Sequence, residues 1–153
     1  MSNKVNIRPN VSMLSVLRFL EYETWFALAE FVDNAIASYQ SNEETLKKMH
    51  GEDIQLEVKI EINDSENTII IRDNAGGIEE GNYARAFRAA EVPADTSGLS
   101  EFGMGMKSAS CWFSDFWTVR TTAIAEETEK TISFDMDKIF EDKIEELEFH
   151  SKP

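Results

Sequence analysis

Residues 24–39 read TWFALAEFVDNAIASY, and the spacing of Trp25, Leu28, Val32, Ala35, Ile36 and Tyr39 predicts an amphipathic helix with Thr24 as its N-cap. Two polar residues break the pattern. Glu30 and Asn34 stand one turn apart and project from the same side, among Ala27, Phe31, Ala35 and Ala37, where a surface helix carries more charge. A carboxylate beside a neutral carboxamide suits one kind of chemistry, in which the amide oxygen ligates a hard cation and the carboxylate orients a water next to it. An ordinary salt-bridging glutamate beside a solvated asparagine is the other reading these residues leave open.

Outward from this helix the pattern stays legible. Residues 1–10 form a polar lead-in, and Val11, Leu14 and Leu17 predict a short helix over 11–20. Downstream, residues 41–53 are polar, with EETLKKM extending the helix and Gly51 closing it. IQLEVKIEI, residues 54–62, alternates strictly and predicts a half-buried strand. After the turn NDSEN, residues 68–72 (TIIIR) predict a second, more apolar and therefore more central strand.

That hairpin delivers the chain to Asp73-Asn74-Ala75-Gly76-Gly77-Ile78. Such a run is a conformationally favoured turn. It would also serve a site, with Asp73 presenting an acceptor into a cleft from the end of a rigid strand and the glycines letting a flat ligand approach the backbone. Tyr83, Ala84, Phe87 and Ala90 predict helix over 79–90, and residues 91–102 (EVPADTSGLSEF) predict a flexible loop long enough to act as a lid. The loop ends in Gly103-Met104-Gly105-Met106-Lys107-Ser108. Glycines before a helix start expose N–H groups at the positive end of the dipole, an anion site to which Lys107 adds a point charge; close packing of a loop explains the same glycines. Strands are predicted at 116–122 (FWTVRTT) and 131–135 (TISFD) around a polar turn at 125–129, and Ile139, Phe140, Ile144 and Leu147 predict a helix over 138–148.

The chain has 153 residues, of which 42% are hydrophobic, enough for one domain with a core and too few for two of ordinary size. A net charge of −14 argues against binding nucleic acid or an anionic membrane through the overall field, so a phosphate ligand needs local features. Cys111 is the single cysteine, which fits a reducing compartment, and no apolar run reaches membrane-spanning length. A soluble intracellular (cytoplasmic) protein is the expectation.

Three motifs in fixed order resemble one family: a helical Glu and Asn one turn apart, a strand ending in DNAGGI, and a loop leading to FGMGMKSA. The chain is similar, from about Val11 to about Asp135, to the GHKL superfamily of ATP-binding domains, which includes DNA gyrase B, the heat-shock chaperone of the same nucleotide fold, MutL, the MORC proteins and histidine kinases. The resemblance implies an α/β fold, a two-layer sandwich (Bergerat-type) with helices on one face of a mixed, mostly antiparallel sheet. It implies ATP and Mg²⁺ as ligands, with Glu30 as general base for the attacking water and Asn34 as the Mg²⁺ ligand. Asp73 would accept from the adenine amino group and Gly77 and Ile78 would line the base pocket. Gly103, Gly105, Met106, Lys107 and Ser108 would cradle the phosphates. Glu30 favours a hydrolase over a histidine kinase, and Lys107 within GMGMKSA resembles MORC-like and chaperone-like members.

The sequence departs from the family pattern in four places. Ala37 stands where hydrolases often carry Asp, Ala75 replaces the first glycine of the acidic motif, residues 88–91 (RAAE) lack the MORC pattern, and no strand with a Gly-Thr pair is evident. The expected activity is an ATPase, slow by itself, whose nucleotide state controls lid closure and homodimerisation or binding of a protein partner. The alternatives are a histidine-kinase-type phosphotransferase and an ATP-sensing module without turnover. One domain over 1–153 is expected, as the N-terminal part of a longer protein that supplies a catalytic lysine or as a minimal stand-alone binder.

Overall fold

The computed structural model describes residues 4–7, 23–87, 105–124 and 126–153. The helix predicted over 11–20, the lid over 91–102 and Gly103 lie outside these residues. Strand β1 spans Lys4–Asn6, helix α1 Thr24–His50, β2 Val58–Asn63 and β3 Thr68–Asp73. A 3-10 turn at Glu80–Asn82 leads into α2, Tyr83–Phe87, and α3 is Gly105–Phe113. Then follow β4 Phe116–Thr121, β5 Glu129–Asp135, α4 Met136–Glu141, β6 Glu146–Glu148 and β7 His150–Lys152. This is a mixed α/β structure with small antiparallel sheets, β1 with β6, β2 with β3, and β5 between β4 and β7.

α1 runs as one helix through EETLKKM, and Gly51 closes it, with φ 102° and its N–H bonded to the Lys47 carbonyl at 2.8 Å. Lys47, Lys48 and His50 occupy the last turn, where cations complement the helix dipole. The N-cap is Glu23 in extended backbone, with no side-chain cap bond, and Thr24 is already helical.

The hairpin forms with Ile60 opposite Ile71 and Ile62 opposite Ile69. Strand β2 starts at Val58, later than the alternation predicts, because β3 ends at Asp73 and leaves nothing to pair further up. Residues 55–57 are held by Asn74 instead, whose Oδ1 accepts from the Glu57 N–H at 2.8 Å and whose Nδ2 donates to the Gln55 carbonyl at 3.0 Å. Nor is β3 central: it pairs with β2 alone among the described strands, and Ile62, Ile69 and Ile70 are exposed. Alternation reports which side chains share a face and is silent on whether that face is covered.

The core lies against one side of β4–β5. Trp117 and Phe134, opposite each other in the register, stack at 3.8 Å, and Phe87 meets Phe134 and Phe149. Val5, Ile7, Cys111, Ile132, Met136 and Ile139 complete the cluster. Facing the other way, Thr118 and Ser133 share a hydroxyl hydrogen bond in solvent.

The predicted helix over 138–148 is a correction. α4 begins earlier, at Met136, where Asp135 caps it by accepting from the Lys138 N–H, and it stops at Glu141. Lys143 takes φ 51°, and the chain turns back to pair β6 with β1 and β7 with β5. Ile144 and Leu147 pack on the core from a loop and a strand, positions that helical spacing mimics. No helix among the described residues is long and apolar enough to cross a membrane.

Candidate functional site

On α1, Asn34 Nδ2 donates to the Glu30 carbonyl at 2.7 Å, folding the carboxamide back along the helix. That bond occupies the donor end and leaves Oδ1 as the acceptor end, the atom a hard cation takes. Glu30 itself is half-buried. Burial lifts its carboxyl above the ordinary 4.5, and the Asp33 carboxylate adds to the rise. Asp33 lies outside the sequence motif, although a carboxylate three residues beyond another on a helix is the signal that finds it.

The raised carboxyl has a sign for stability. A folded-state value above the unfolded one stabilises the fold below the unfolded value, and that contribution is lost as pH rises through the folded value. Glu30→Gln is therefore expected to raise the melting temperature of the ligand-free protein at pH 7 and to lose this advantage below about pH 4, where wild type carries the proton too. Melts recorded across that range check it; a wild type more stable than the variant at pH 7 would contradict the desolvated carboxylate.

α3 enters directly over this carboxylate. A Cβ built on Gly105 would fall onto Glu30 Oε2 and lie 2.8 Å from its Cδ, so a side chain there would have to push the carboxylate aside. The start of α3 thus stands against the Glu30 carboxylate. Ser108 Oγ donates to the Gly105 carbonyl at 3.0 Å, and Met106 packs on the core. Lys107 is 1% exposed, and its Nζ donates to the Arg85 carbonyl at 2.7 Å.

The acidic loop meets α1 further along. Asp73 is exposed at the end of β3, with Oδ1 accepting from the Ala75 N–H at 3.0 Å. The Gly76 N–H donates to Ser38 Oγ at 3.2 Å, and a Cβ on Gly76 would stand 2.6 Å from Asn42 Nδ2. On its other side the loop is bound to the end of β4, where the Ile78 N–H donates to Thr121 Oγ1 at 2.8 Å and the Ile124 N–H to the Gly76 carbonyl at 3.0 Å. Gly77, at φ 67°, sits against the Thr122 carbonyl with no room for a side chain.

Glu30, Asn34, Ser38 and Asn42 thus form one ridge at intervals of four residues, with Gly105 at one end and Gly76 at the other. Glu30 and Ser38 are ~12 Å apart along the axis, at 1.5 Å per residue. Ser38, Asn42 and Thr121 are the site-building residues that motif reading misses. The four-residue spacing is visible for the first two, and nothing local marks Thr121.

Residues 22–152 match the family described as histidine kinase-, DNA gyrase B-, and HSP90-like ATPase. No curated protein matches the chain.

Proposed function

Because the chain belongs to the histidine kinase-, DNA gyrase B- and HSP90-like ATPase family, whose domains bind ATP, we propose that it is a Mg²⁺-dependent ATPase whose site lies along the α1 ridge. The observation that carries this is the ridge itself, with a half-buried Glu30 and the Asn34 acceptor at the end where Gly105 opens α3, and Asp73 beyond the end where Gly76 is tethered. Glu30 takes a proton from the attacking water, a role suited to a carboxyl made more basic than usual by burial.

Asn34 Oδ1 would hold Mg²⁺, and its chemistry fits: a neutral oxygen, its amide nitrogen already engaged, adds no charge to repel the phosphates. Bound there, the cation would offset charge on the phosphoryl oxygens. The N–H groups at the start of α3, Gly105 to Ser108, together with Gly103, bind phosphate oxygens. Asp73 accepts from the adenine amino group, and Gly77 and Ile78 flank the base. We place the protein with the MORC-like or chaperone-like members, in the two-layer arrangement of that family, within the cell. Residues 91–102 act as the lid, and the nucleotide state controls dimerisation or partner binding.

A thermal melt with Mg²⁺ and ATP tests the reading. At a hundredfold excess over Kd, a ligand that binds only the folded protein stabilises it by about 2.7 kcal/mol, a shift of roughly 5–10 °C for a chain of this size. GTP should shift it less. Asp73→Asn should remove the ATP shift and leave the free protein's melt close to wild type. The carboxamide oxygen keeps the turn to Ala75, while its NH₂ turns a donor towards the adenine donor. No shift with ATP, or equal shifts with ATP and GTP, overturns the proposal.

A further inference from the structure

Lys107 is among the largest fully buried side chains of the protein, a position that lysine seldom occupies. It stands in the first turn of α3, where a cation opposes the helix dipole, so helix electrostatics do not account for it. Burying an ammonium is costly unless it is hydrogen-bonded. The bond at hand goes to the Arg85 carbonyl at 2.7 Å, across 22 positions of sequence. Arg85 lies in α2, with its carbonyl turned to the Lys107 ammonium. α2 is itself seated in the core by Tyr83 and Phe87, which pack on Phe149.

We propose that Lys107 is a positioning residue for the α1 site: its ammonium ties the first turn of α3 to the Arg85 carbonyl, and so holds Gly105 and its neighbouring N–H donors against Glu30 without touching the nucleotide. The inference rests on the ridge being the nucleotide site. A single residue, Met106, separates Lys107 from Gly105, so the tie acts within the turn that stands over Glu30.

Amine labelling of the full chain, read peptide by peptide by mass spectrometry with and without Mg²⁺ and ATP, tests this. Lys107 should react at least about tenfold more slowly than Lys59, an exposed lysine, in both conditions. Labelling at the Lys59 rate in the free protein overturns the proposal, and protection by ATP would then make Lys107 a phosphate ligand. Lys107→Met should weaken ATP and ADP alike by about tenfold, the scale of one charge-assisted hydrogen bond, and Lys107→Arg should restore part of the loss. Unchanged affinity in Lys107→Met, or a loss confined to ATP, also overturns it. Should Lys107→Met fail to fold, the labelling and the arginine variant still decide. A wild-type melt that ATP does not move refutes the site itself and leaves the labelling result standing as a separate measurement.

Discussion

Replacing Glu30 by glutamine is expected to lower ATP turnover roughly 10²–10⁴-fold while leaving ATP affinity nearly unchanged, the signature of a general base that contributes little to ground-state binding. The glutamine fills the same volume beside Gly105 and keeps the backbone carbonyl to which Asn34 donates, so neither the start of α3 nor the carboxamide loses its place. What it lacks is a basic oxygen. Asn34→Ala should behave in the opposite way, weakening binding of Mg²⁺ and ATP, because it removes the acceptor oxygen while Glu30 stays intact. Phosphate release and ATP titration on both variants separate the two roles. If Glu30→Gln abolishes binding, or leaves hydrolysis untouched, Glu30 is a structural residue and the ATPase reading loses its main support.

The second large effect is expected at Gly77, for a reason of shape. An alanine there must adopt φ near 67°, a left-handed conformation costing about 1–3 kcal/mol in a non-glycine residue. Its methyl group would also fall onto the Thr122 carbonyl and within 3.0 Å of Ala123 Cα, backbone atoms that have no rotamer with which to move aside. The loop must then leave β4, breaking the bond from Ile78 to Thr121 and displacing the residues assigned to the base pocket. The melting temperature of Gly77→Ala should therefore fall by roughly 4–10 °C, with ATP binding lost even where the protein remains folded. Gly81→Ala is the control: its Cβ would meet nothing within 4 Å, so its melt should match wild type. Equal melts for the two variants would sink the account of Gly77.

The site is legible in the sequence where its chemistry is local. Glu30 and Asn34 belong to one helix, and a period of 3.6 residues suffices to put them on one side. The same period aligns Ser38 and Asn42, yet their function stays hidden because they serve a loop some 35 residues away and no motif spells it out. Asn74 shows the reverse. Its place in DNAGGI suggests a turn, whereas its side chain is spent on the backbone of residues 55–57.

By itself the sequence determined the length of α1, the existence of the β2–β3 hairpin and the glycine at the start of α3, because helix period, strand alternation and turn chemistry are set by neighbours in the chain. The tertiary structure alone decided that Ile62, Ile69 and Ile70 stay exposed, that residues 146–148 and 150–152 form strands rather than a continued helix, and that the Lys107 ammonium is turned to Arg85. Each of these depends on a partner distant in sequence. Three-residue strands such as β1 and β6 carry too little intrinsic preference to announce themselves, and they exist because pairing across almost the whole chain satisfies their backbone groups.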